Sequence, residues 1–129
     1  MNNNNNKSDK SRYTHIEVFD NETQEMLKEF AQTSPDLVQD IIDSFEPEAS
    51  VLIAEIRESV EKKDKTGLQK AVHALAGISG SIGAKKLEMV SRDTDKLIKS
   101  NSMDQAYSLA EEILFAYDEL IASLDKILR

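Results

Sequence analysis

At 129 residues the chain is long enough for one hydrophobic core and too short for two, and its lack of cysteine excludes disulfides, thiol catalysis and thiolate metal sites together. A formal net charge of -8 argues against a nucleic-acid partner, which would need clustered Lys and Arg to neutralise phosphates. Only four Gly, two Pro and few aromatics favour helix over sheet. No apolar run approaches a membrane span, and the absence of Cys agrees with a reducing compartment, so no membrane contact and a cytoplasmic location are expected.

In chain order, residues 1–21 show little apolar periodicity, and the Asn2–Asn6 run cannot supply a core, which predicts a disordered polar leader. A helical bundle is predicted for residues 22–129. Met26, Leu27 and Phe30 mark a short first helix that ends at Thr33-Ser34-Pro35-Asp36. There Ser34 reads as an N-cap, with Pro35 at the first position of the next helix. Val38, Ile41, Phe45, Ala49, Leu52, Ile56 and Val60 step by three and four to about Lys63, through Pro47, where a kink is expected. Asp64 caps a third helix to about Ile82, and Ala84–Lys99 forms a fourth. Ser102 caps a fifth that carries Ala106, Ala110, Ile113, Tyr117, Leu120, Leu124 and Ile127. The fold class is therefore all-α, an up-and-down four-helix bundle with an additional short N-terminal helix.

The chemistry lies in the third helix. At 100° per residue, Leu68, Ala71, Val72, Leu75, Ile78 and Ile82 gather on a core-facing stripe, and His73 points roughly 170° away from its centre. His73 is thus expected in solvent, among Gln69, Lys70, Ala76, Gly77, Gly80 and Ala84. Four of these six carry nothing larger than a methyl group. Three of the four glycines of the protein fall within the ten residues after His73. Gly83 reads as a helix C-cap with positive φ. An interior helical Gly costs about 1 kcal/mol relative to Ala, so Gly77 and Gly80 call for another reason. Both are placed on the face away from helix–helix contacts, and the reading is clearance: a large partner must approach the imidazole. Ala76, Gly77 and Gly80 are accordingly the candidate docking residues.

The stretch resembles the signature of histidine-containing phosphotransfer (HPt) domains, which runs roughly His-x-Leu-Lys-Gly-x-Ser/Ala-x-x-Ile/Leu-Gly-Ala-x-x-Leu. His73, Leu75, Gly77, Ser79, Ile82, Gly83, Ala84 and Leu87 stand in register with it. The resemblance, over about residues 22–128, implies a phosphocarrier without kinase activity of its own. His73 would take a phosphoryl group from an aspartyl phosphate on a receiver domain and pass it to another receiver. The implied partners are receiver domains of a hybrid histidine kinase and a response regulator, met as a monomer. No cofactor or metal would be bound, with Mg²⁺ supplied by the receiver. The chemistry suits an imidazole, nucleophilic near neutrality because its ordinary pKa lies at about 6.5. One departure is Ala76, where the family usually has a Lys thought to neutralise phosphoryl oxygens. Lys70, one turn before His73, is expected to replace that cation in part, and Gln69 or Lys70 to hydrogen-bond the ring or the phosphoryl oxygens.

Other readings fit less well. A histidine-kinase dimerisation helix has an acid directly after the His and Thr/Asn-Pro four and five residues on, but Ala74, Gly77 and Ile78 stand there and no Gly-rich ATP site follows. A metal-carboxylate bundle needs Glu three residues before a His, and neither His15 nor His73 has one. The alternative that retains the fold is a helical adaptor that binds receiver or kinase domains without transferring phosphoryl groups.

Overall fold

The computed structural model describes residues 12–128. These form five helices: α1 (Asn21–Thr33), α2 (Pro35–Lys62), α3 (Lys65–Ser81), α4 (Lys85–Lys99) and α5 (Met103–Leu128). Connections of one to three residues leave consecutive helices no room except to run antiparallel. Helices α2 to α5 pack in cyclic order, each against the next, with α5 closing back on α2; α1 lies across α2 and α5. The chain is therefore an all-α bundle of four long helices with a short helix before it, and no strand occurs among the described residues.

The helix boundaries follow local chemistry. The Asp20 side chain accepts from the Thr23 N–H at 2.8 Å and starts α1. Asp64 accepts from the Gly67 N–H at 3.0 Å and starts α3, as its position predicts. Ser34 holds the N-cap position of α2 without a side-chain cap bond; instead its backbone N–H continues the hydrogen bonding of α1 to Phe30, and Pro35 opens α2. Pro47 lies inside α2, whose helical assignment is continuous through it. Helix α2 ends at Lys63, in the left-handed region at φ 55°, and α3 ends in a turn with Gly83 at φ 72°. The core takes Leu27, Val38, Phe45, Ile56, Leu68, Leu75, Leu87, Ile98, Ile113, Leu120 and Leu124, all buried. Each such side chain contributes about 1.5–3 kcal/mol of burial.

The disordered leader expected through Asn21 is corrected over residues 12–20; the Asn2–Asn6 run lies outside the described residues. Tyr13 and Phe19 are core residues, and Ile16 and Val18 pack against the core. The Tyr13 hydroxyl donates to Asp93 Oδ2 of α4 at 2.6 Å. Backbone bonds from Asp20 N–H to Gly83 C=O (3.1 Å) and from Lys86 N–H to Val18 C=O (3.4 Å) lay the segment over the α3–α4 turn. Single apolar residues in an irregular segment bury well without producing any periodicity, so pattern reading passes over them.

Candidate functional site

Helix α3 is held by its stripe of Leu68, Ala71, Val72 and Leu75, all buried, which turns His73 outward with 72% of its side chain exposed. At about 100° per residue, Gln69, Ala76 and Gly80 lie on one flank of His73, and Lys70, Ala74 and Gly77 on the other. The two flanks have different surroundings. Lys70, Ala74 and Gly77 are exposed, and a Cβ placed on Gly77 would meet nothing within 4 Å. On the other flank Ala76 is only 2% exposed, Gln69 and Gly80 are half-buried, and a Cβ on Gly80 would stand 2.9 Å from Glu88 Oε2 of α4.

The open face expected at Ala76 and Gly80 is therefore corrected. Helix α4 packs along that flank, so the small residues there admit a neighbouring helix rather than a visiting partner. Ala84 lies beyond the end of α3, fully buried at the start of α4. Among these flanking residues, open space remains only on the side of Lys70, Ala74 and Gly77.

Helix α4 also brings a charged row to α3. Glu88, Arg92, Asp95 and Lys99 recur at steps of three and four and so share one face of α4. Glu88 pairs with Arg92 at 2.8 Å and Asp95 with Lys99 at 3.1 Å. Asp95 Oδ2 also lies 3.5 Å from His73 Nδ1, an ion-pair distance that is long for a hydrogen bond. The Asp95 side chain is only 12% exposed, and its Oδ1 is buried with no hydrogen-bond partner among the described residues. A carboxylate so far out of water needs compensation, and the Lys99 ammonium and the imidazole edge provide it on Oδ2.

Sequence reasoning found His73 and its exposure but missed Asp95 and Lys99. The available signal was a carboxylate at the edge of the apolar stripe of α4, between Val90 and Ile98, with a lysine four residues on. Lys70 and Gln69 stand beside His73 on opposite flanks, and neither has a side-chain bond among those found in the described residues. Among the described residues, no group of three or more His, Cys, Asp or Glu could hold a metal ion, and no helix is long and apolar enough to cross a membrane.

Searches of curated proteins and of solved structures each gave no match. A family model, the Hpt domain, matches residues 25–127 and so spans all five helices. Given that span, and an exposed histidine on the helix where the signature falls, the chain belongs to the Hpt-domain family, the histidine phosphotransfer modules of two-component phosphorelays.

Proposed function

We propose that this protein is a phosphorelay intermediate in which His73 accepts a phosphoryl group from the aspartyl phosphate of one receiver domain and passes it to the aspartate of another. The observation that carries the reading is the imidazole itself, exposed on a helix with one open flank and touched at Nδ1 by a fixed carboxylate. With its Nδ1–H toward Asp95, the ring presents the lone pair of Nε2 to solvent.

In the forward step Nε2 attacks phosphorus. The Nε2–P bond forms and the P–O bond of the acyl phosphate breaks, its electron pair leaving on the receiver's carboxylate. The ring, now substituted at both nitrogens, carries positive charge facing Asp95, which stabilises it without taking part in bond formation. In the onward step a second receiver's carboxylate attacks the same phosphorus and Nε2 leaves as neutral imidazole. On this reading the receiver brings the Mg²⁺, and this chain contributes an oriented nucleophile with room beside it at Gly77, Ala74 and Lys70.

The test is label transfer from a phosphorylated receiver domain to the wild type and to His73→Gln. The wild type should acquire an acid-labile, base-stable label, and His73→Gln should acquire none while keeping its helical circular dichroism. Label retained in the variant, or found on His15, overturns the assignment. Binding to receivers without any transfer to the wild type would leave the adaptor reading.

A further inference from the structure

We propose that Lys99, on the neighbouring helix, supplies the cation that stabilises the phosphoryl group on His73; this rests on His73 being the acceptor. A phosphoryl group placed on His73 is strongly anionic and arrives beside a carboxylate already fixed against the ring. The imidazolium formed on transfer pairs with Asp95, which leaves the phosphoryl oxygens without a cation of their own. Within one turn of His73, α3 offers no cation on that flank: Ala76 is buried and apolar, Gln69 is neutral, and Lys70 lies on the opposite side, while Lys65, two turns back, donates to Asn101 Oδ1 at 3.0 Å. Of the cations in the charged row of α4, Arg92 is held by Glu88, whose carboxylate lies against Gly80 further toward the end of α3.

Lys99 Nζ contacts the same oxygen, Asp95 Oδ2, that contacts His73 Nδ1. The ammonium and the ring therefore lie no farther apart than those two contacts combined. Its side chain is 61% exposed, so the flexible stem is free to swing the ammonium from the carboxylate toward Nε2. Before transfer Asp95 holds Lys99 beside the ring. After transfer the ammonium has a more strongly anionic partner within reach, and Asp95 is left facing the imidazolium. The exchange keeps every charge paired on both sides of the reaction.

The test uses potassium phosphoramidate, a small donor that requires no receiver: Nε2 attacks phosphorus, the donor's P–N bond breaks, and ammonia leaves. Formation and decay of phospho-His73 are followed by ³¹P NMR in the wild type, Lys99→Met, Lys99→Arg and Lys70→Met. Lys99→Met should slow formation or shorten the phosphohistidine lifetime roughly three- to tenfold, the range of one partly exposed charge-assisted contact. Lys99→Arg should restore most of the loss, and Lys70→Met, on the far flank, should lose less than Lys99→Met. In the wild type, the Lys99 ammonium ¹⁵N resonance should move on phosphorylation, a response that a merely structural lysine would not give. Wild-type rates in Lys99→Met, an unmoved ammonium signal, or a loss confined to Lys70→Met overturns the proposal. Failure of the wild type to acquire phosphoryl at His73 overturns the acceptor reading itself.

Discussion

Gly77 and Gly80 lie within one turn of each other on α3, yet a Cβ on Gly77 would meet open space while one on Gly80 would stand 2.9 Å from the Glu88 carboxylate. Two residues identical in sequence thus have different purposes. Gly77→Gln should leave stability unchanged or raise it by up to about 1 kcal/mol, because the helix gains a better former and displaces nothing. Transfer from a receiver should nevertheless fall sharply, as the new side chain occupies the open flank. Gly80→Ala should instead push aside the Glu88 carboxylate, the flexible end of a long side chain, and disturb its pair with Arg92. Its effect on transfer should be the smaller of the two. Thermal unfolding together with single-turnover transfer separates the two outcomes, and equal transfer losses would refute the division into flanks.

The exposure of His73 was legible because it depends only on helical period: once Leu68, Val72 and Leu75 define the buried side, the opposite side follows. Which flank of His73 is closed was not legible, because that depends on where α4 crosses. Spacing along α3 carries no information about the side on which α4 packs. For the same reason Asp95 escaped notice: in α4 it reads as a charge near the edge of the Leu87, Val90, Ile98 stripe, and only the packed helices bring it to the imidazole. Tyr13 and Phe19 were hidden differently, since their burial arises from a segment with no regular period at all.

Tyr13 gives a prediction about pH. Burial first, then its hydrogen bond to Asp93, pushes the Tyr13 phenol up to about 12. The unfolded phenol ionises near 10, so between roughly pH 10 and 12 the folded state holds a proton that the unfolded state has lost, and stability falls as pH rises. Below that window the full stabilisation is present. The Tyr117 phenol, also raised mainly by burial, acts in the same direction. Tyr13→Phe should therefore make the alkaline decline shallower without abolishing it. At neutral pH the variant should lose about 1 kcal/mol with the hydrogen bond to Asp93. Urea unfolding at pH 8 and pH 11 measures both effects.

Gly83 should tolerate no side chain. Its φ of 72° disfavours any L residue, and a Cβ there would run into the Thr23 side chain of α1. Its carbonyl also accepts from the Asp20 N–H, so the strain cannot relax without loosening the segment laid over the turn. Gly83→Ala should lower stability by more than about 1 kcal/mol. Thr23→Ala in the same chain should recover part of this, so the double variant should be more stable than the sum of the single effects predicts. Strict additivity in chemical denaturation would show that Thr23 is not the obstacle.

Asp95→Asn tests how the imidazole is oriented. An ionised carboxylate only accepts hydrogen bonds, so its neighbour Nδ1 is favoured as N–H and the lone pair falls on Nε2. An asparagine in the same place can turn its amide and donate to Nδ1, which favours the opposite tautomer and puts the proton on the attacking nitrogen. The substitution also removes the charge that faces the imidazolium formed on transfer. Because His73 is largely exposed, water can still carry the proton between its two nitrogens, so the loss should be moderate, roughly tenfold in transfer rate rather than complete. The fold should persist, since Asp95 already leaves Oδ1 without a partner and the amide is nearly isosteric. ¹⁵N NMR of the imidazole reads the tautomer directly, and transfer from a phosphorylated receiver reads the rate. A tautomer shift with slowed transfer places Asp95 as a positioning residue acting through His73. An unchanged tautomer and an unchanged rate would mean that the 3.5 Å contact has no part in the chemistry.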